Sequence, residues 1–275
     1  MNDGTAKRAL DRAIEDADQL LLVYQPIHDA RSGAIYGAEA LLRQRREDGE
    51  IRNAAIIAEA AETSSGPELF QLDSLLIKKA YTDAAQWPPD IHLNVNLSPR
   101  EFQEGNVMKR LNGLVTSCGI ETRKVNLEIT ETTYIDDPEE TMDVLTALKR
   151  SGVQLWLDDF GTGHSSLTHL QHFPLDGLKI PGAFVKPLPG DARCRAIVRA
   201  LLALADDLGI AVIAEEVETQ AQLDFLLEHG CDYVQGFLFS RPMPPERFEE
   251  LLRGATPPSP DAPRGRSDRG ATRDP

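Results

Sequence analysis

No apolar stretch in this chain approaches the length of a membrane span, and residues 1–8 lack the apolar core of a signal peptide. Both absences direct the reading towards a soluble, cytoplasmic protein with no membrane partner. Positive charge is in short supply. Against 44 aspartates and glutamates stand 29 lysines and arginines, a net charge of −15. Such a balance argues against a nucleic-acid polymer or an anionic bilayer as partner. A small anionic ligand stays open, because a bound metal reverses the sign locally. Cysteine is scarce too. Cys118, Cys194 and Cys231 are odd in number and lack CxxC spacing, so reduced structural thiols are expected. The six histidines, His28, His92, His164, His169, His172 and His229, show no zinc-type spacing such as HExxH.

What is present is most informative between Val153 and Gly163. A short apolar segment of strand composition ends in two adjacent carboxylates, Asp158 and Asp159, and a glycine-rich loop follows at once. Carboxylates side by side at the end of a buried strand repel each other and lose hydration. A divalent cation is the simplest compensation; alone, the pair would read as a turn cap and a helix start. Neighbouring side chains on a regular strand face opposite ways, so the strand must end or bend here if both bind metal. Gly161 and Gly163 make such a bend feasible.

Apolar, β-rich runs at 20–27, 35–42, 91–97, 125–130, 153–157, 177–180, 211–214 and 233–239 are the strand candidates. Segments of helical period lie between them near 54–62, 67–86, 137–150, 192–208, 220–228 and 245–252. About eight strands interleaved with helices in roughly 250 residues match the size and rhythm of a (β/α)8 barrel, a single-domain TIM-like α/β fold. An open doubly wound sheet is the alternative. The two early strands, with little between them, break strict barrel regularity. Residues 1–19 read as a helical lead-in, 20–253 as the barrel, and 254–275 as a disordered tail rich in Pro, Gly and Arg.

Polar side chains recur at or near the strand ends: Glu39, Asn96, Glu128 with Glu131, Asp158 with Asp159, Lys179, Glu215 with Glu218, and Gln235. Singly, each has an ordinary explanation as a turn residue or solvated charge. Together they are what a barrel mouth requires, since catalytic residues there come from several strands. Carboxylates and an amide, without imidazole or thiolate, suit Mg2+ or Mn2+, and their number suggests two ions. Paired ions are a common device for phosphodiester hydrolysis, and Lys179 would add a cation near the developing charge. A Mg2+-dependent barrel lyase with Lys179 as base fits the same residues.

The segments Tyr24-Gln25-Pro26-Ile27 and Gly37-Ala38-Glu39-Ala40-Leu41-Leu42-Arg43 resemble the opening of an EAL domain, the bacterial cyclic-di-GMP phosphodiesterase family. The likeness continues through residues 95–98, 127–131, 158–163, 178–180, 214–219 and 235–242, and spans about residues 20 to 252. The resemblance implies a (β/α)8 barrel with one reversed strand, which accounts for the irregular start. It implies that Glu39, Asn96, Glu128 and Asp158 bind one metal, and that Asp158, Asp159 and Glu215 hold the second. Lys179 would contact the attacking water, and Gln25, Arg43 and Gln235 the dinucleotide, Arg43 through a phosphate. Glu131 would steady the 160–164 loop near a homodimer interface, and Glu218 would support Glu215. The implied product is linear pGpG.

The sequence departs from the family pattern in three places. Glu216 stands where glycine is usual; if that site needs positive φ, a side chain there costs roughly 1–2 kcal/mol. Pro181 replaces the aspartate that usually follows Leu178-Lys179-Ile180, removing an acceptor and a backbone N–H. Gln44 replaces the usual tryptophan, and the usual proline near Asn53 is missing. These departures support a second expectation, a catalytically silent EAL domain that binds cyclic-di-GMP or a protein partner.

Overall fold

The computed structural model describes residues 20–45, 51–53, 67–97, 102, 107–130, 138–161 and 172–254. The expected lead-in, the helix near 54–62, Glu131, most of the 160–164 loop and the tail lie outside the described residues. Strands β1 (Leu20–Asp29) and β2 (Ile35–Arg45) form an antiparallel hairpin. A short strand, β3 (Ile51–Asn53), pairs with the end of β2. From β2 the sheet continues in parallel through β4 (His92–Asn96), β5 (Val125–Thr130), β6 (Gln154–Asp158), β7 (Gly177–Ile180), β8 (Ala211–Ala214) and β9 (Tyr233–Val234). β9 then pairs antiparallel with β1 through His28 and Val234, closing an eight-stranded barrel with β1 as its reversed strand.

The helices are α1 (Pro67–Ala85), α2 (Val107–Cys118), α3 (Pro138–Arg150), the single turn α4 (Gly182–Val185), α5 (Ala192–Leu208), α6 (Gln220–Glu228) and α7 (Pro245–Gly254). Local chemistry fixes several ends. α3 opens on Pro138, Glu139 and Glu140 and closes on Lys149 and Arg150, matching the helix dipole at both ends. The Asp191 carboxylate accepts from the N–H groups of Arg193 and Cys194 to start α5, and Gly209, at φ 71°, ends it. Thr219 and Gln222 form a capping box at the start of α6.

Strand periodicity divides the core in two. Outward residues such as Leu93, Val95, Leu127, Leu155, Leu178 and Val212 form one continuous buried cluster with Leu145, Leu148, Val198 and Leu226 of the helices. Inside the barrel, Ile27, Trp156, Ala211, Ile213 and Tyr233 pack with Tyr36 to form an apolar floor. The register shifts between Ile27 and His28, making Tyr36 an extra residue of β2. Its ring stacks on His92 and Tyr233, with centroids 4.6 and 4.0 Å away. Gly177 makes room for this floor, because a Cβ there would overlap the Trp156 ring.

One expectation needs correction, and two elements lie where no strand or helix is expected. The last strand ends at Val234 instead of continuing to Phe239, because Gly236 presses against the Val217 backbone and the chain turns. α2 was not anticipated; Gly113, Thr116 and Ser117 weaken its helical signal. β3 is too short to carry a pattern.

Candidate active site

Counting in steps of two along each strand leads from the floor to the mouth. His92, Asn94 and Asn96 follow one another on β4, Asn126 and Glu128 on β5, and Trp156 and Asp158 on β6. β7 offers Lys179, and the chain just past β8 and β9 offers Glu215 and Gln235. Register places Glu39 of β2 opposite Gln25 of β1. The reversed strand therefore still delivers a polar residue to this end of the barrel.

Lys179 lies at the centre and is only 1% exposed. Its Nζ is 2.8 Å from Glu215 Oε1, 3.0 Å from Glu128 Oε2, 3.3 Å from Asp158 Oδ1 and 3.7 Å from Glu39 Oε2. Burial alone would lower its pKa, but Asp158, Glu128, Glu215 and Glu39 override this and hold the ammonium well above its usual range. The carboxylates are in excess. Burial pushes Glu128 well above the usual carboxylate range, against the pull of Lys179. Burial likewise pushes Glu215 up to about 7, with Asp158 and Glu39 adding to the shift and Lys179 opposing it. One lysine cannot balance Glu39, Glu128, Asp158, Asp159 and Glu215, which is the charge environment a divalent cation suits.

The mouth is also tightly cross-linked. Asn96 Nδ2 donates to Glu39 Oε1 at 3.2 Å, and Gln235 Nε2 donates to Glu39 Oε2 at 2.9 Å. Gln235, expected on the dinucleotide, is thus buried and bonded to a carboxylate. Asn94 Nδ2 donates to Glu128 Oε1 at 2.7 Å. Asn94 and Asn126 lie two residues before Asn96 and Glu128 on the same inward face, and the register that pairs them side by side is what gives them a role.

β6 ends at Asp158, and Asp159 takes φ 53°, the left-handed region. Aspartate tolerates that conformation better than most residues. The bend brings both neighbouring carboxylates to the same side, and Asp158, Asp159 and Glu215 each offer an oxygen within 4.8 Å of the others. A strand continuing straight would have turned Asp159 away. Glu216 also takes φ 53°. Its side chain lies over Gly182, where a Cβ would overlap it, and pairs with Lys186. Both partners are about half exposed, at 54% and 49%, so solvent screens the pair and it does not offset a backbone cost of about 1–2 kcal/mol.

Pro181 is the N-cap of α4 and its carbonyl accepts from Phe184 N at 3.0 Å, so the ring is accommodated where the strand has already ended. Arg43 is half-buried, with Nη1 donating to the Leu42 carbonyl at 2.8 Å. Glu218 is exposed, and its N–H donates to Gln222 Oε1. Glu131 is outside the described residues. Among the described residues no helix is long and apolar enough to cross a membrane.

Known proteins share this architecture. The EAL domain family model matches residues 7–242. The cyclic di-GMP phosphodiesterase NbdA of Pseudomonas aeruginosa is 35% identical over 248 residues, covering 89% of this chain and 31% of its own length. The PaMucR phosphodiesterase, solved as a c-di-GMP complex, superposes with a TM-score of 0.81 at 33% identity, over 89% of this chain and 99% of that one. BlrP1 of Klebsiella pneumoniae, solved with manganese and cyclic-di-GMP, gives a TM-score of 0.70 at 29% identity, over 82% and 56%. The chain spans about a third of the length of the curated relatives it matches, from 28% to 39%. Matched by the family model over most of its length, the chain belongs to the EAL domain family.

Proposed function

We propose that this domain hydrolyses cyclic-di-GMP to linear pGpG with Mg2+ or Mn2+ at the barrel mouth. The observation that carries the reading is the convergence of Glu39, Glu128, Asp158, Asp159 and Glu215 around Lys179. Glu39, Asn96, Glu128 and Asp158 would hold one ion, and Asp158, Asp159 and Glu215 a second, with Asp158 shared. These are hard oxygen donors in excess of the available positive charge, which fits such cations. When bound, the ions supply an activated water at neutral pH and neutralise charge on the phosphate.

The protein's own groups do the rest. Lys179 is held protonated and fixed by its carboxylate neighbours, so it is a ready donor to the attacking oxygen and to developing charge. Arg43 and Gln25 flank Glu39 on β2 and β1 and engage a phosphate and the dinucleotide. Gln235 positions Glu39 as well as bordering the substrate. Water oxygen bonds to phosphorus as one ring ester bond breaks, leaving pGpG. Homodimer assembly belongs to the same reading, and light scattering on the purified protein tests it.

Incubation with cyclic-di-GMP and Mg2+ or Mn2+, followed by nucleotide chromatography, should yield pGpG, with none formed by Glu39→Ala. Glu216 at φ 53° beside Glu215 favours one alternative, a silent receptor. Tight dinucleotide binding without product under either metal would select it. Recovery of turnover in Glu216→Gly would identify the cause.

A further inference from the structure

We infer that Asn94 and Asn126 are positioning residues for the metal site, an amide ladder inside the barrel that fixes the carboxylate of Glu128. The inference rests on the proposal that Glu128 is a metal ligand. Neither asparagine is at the mouth; both are fully buried on the inward face, below Asn96 and Glu128.

The bonds run in one sense. Glu128 Oε1 accepts from Asn94 Nδ2 at 2.7 Å, and Oε2 accepts from Lys179 Nζ at 3.0 Å. Asn94 Oδ1 in turn accepts from Asn126 Nδ2 at 2.9 Å. The same Asn126 nitrogen donates to Tyr36 Oη at 3.2 Å, and Tyr36 Oη donates to Gln154 Oε1 at 3.3 Å. An amide has its donor and acceptor on different atoms. With Asn126 holding Asn94 Oδ1, only Nδ2 can face Glu128; a flip would set oxygen against oxygen at Glu128 and donor against donor at Asn126. The far end is anchored, because the Tyr36 ring is stacked between His92 and Tyr233.

Packing alone does not account for the ladder. Asn126 Oδ1 is buried without a hydrogen-bond partner among the described residues, a cost that an apolar side chain at this level would avoid. Ala211, Ile213 and Ile27 fill neighbouring inward positions without it. What the amides add is orientation. Both Glu128 oxygens are held from within the barrel, so the carboxylate plane is set before a cation arrives and the remaining lone pairs are free to face it.

The test is Mn2+ affinity of the full chain, read by electron paramagnetic resonance, with melting curves in chelator recorded alongside. Asn94→Leu should weaken Mn2+ binding about 10–100-fold. Asn126→Leu should weaken it less, and should add nothing in the Asn94→Leu background because it acts only through Asn94. At saturating Mn2+ the KM for cyclic-di-GMP should be unchanged. A purely structural role would lower the melting temperature and leave Mn2+ affinity alone. Unchanged affinity in folded Asn94→Leu overturns the inference, and so do additive effects of the two substitutions. Should Asn94→Leu not fold, Asn126→Leu with unchanged affinity overturns it equally. A parent that binds Mn2+ but forms no pGpG removes the proposed hydrolysis alone, and the affinity ratio still decides the ladder. A parent that binds no Mn2+ removes both.

Discussion

In β6, Trp156 and Asp158 are consecutive inward residues; the first is sealed in the aromatic floor and the second sits among the mouth carboxylates. One pleat separates opposite physics. The floor is apolar and shaped around a ring, to the point that Gly177 must lack a Cβ. The mouth gathers like charges that burial penalises, and its nearby backbone twice enters the left-handed region, at Asp159 and Glu216. Stability resides in the floor, and the mouth draws on it to hold groups where chemistry needs them.

Substitutions at the two levels should therefore fail differently. Lys179→Met should have the largest effect, lowering kcat for pGpG formation about 10²–10³-fold. In EDTA it should also destabilise by about 3–5 kcal/mol, because four carboxylates lose their buried cation. Urea unfolding with and without Mn2+ measures the second effect. Trp156→Ala should cost about 3–5 kcal/mol by the same measurement, yet leave activity in the molecules that stay folded. Loss of activity at full occupancy of the folded state would erase the division between floor and mouth. Glu216→Gly should stabilise by about 1 kcal/mol, since relief of the backbone outweighs a half-exposed ion pair.

The pH dependence is the most diagnostic in sign. Glu215 has its pKa raised by burial to about 7, so its contribution to metal-free stability is full below the unfolded value near 4.3 and is lost as pH rises through about 7. His28 is lowered by burial, with the Gly33 carbonyl opposing, so its contribution is present above about 6.5 and is lost as pH falls. Urea midpoints in EDTA across this range should fall less steeply with rising pH in Glu215→Gln, where only Glu128 still contributes that slope, and less steeply with falling pH in His28→Asn. Identical pH profiles for the two variants would contradict the assignment.

Much of this was legible in the sequence because strands and helices repeat locally. The bounds of β5, β7, β8, α5 and α6 follow from apolar runs and clear caps. The carboxylates stood out at strand ends, and the glycines after Asp159 made the bend foreseeable. Contacts across the barrel were not legible. That Lys179 meets four carboxylates, or that Gln235 bonds Glu39, depends on stagger among strands far apart in the chain, which no local pattern encodes. The asparagine ladder stayed hidden for a related reason: Asn94 and Asn126 look like ordinary polar interruptions until the strands are aligned side by side.

The reversed strand has a further consequence, for the order of assembly. β1 and β2 meet through a short hairpin, a closure that costs little chain entropy. The opposite edge of β1 waits for His28 to meet Val234 and for Tyr24 to bridge Met243, partners more than two hundred residues away. Until that seam zips, β1 has one bare edge, and Gln235, the donor to Glu39, is not yet in place. The pocket is thus complete only when contacts of very high sequence separation are made, so a barrel lacking this seam also lacks the Gln235 bond that holds Glu39.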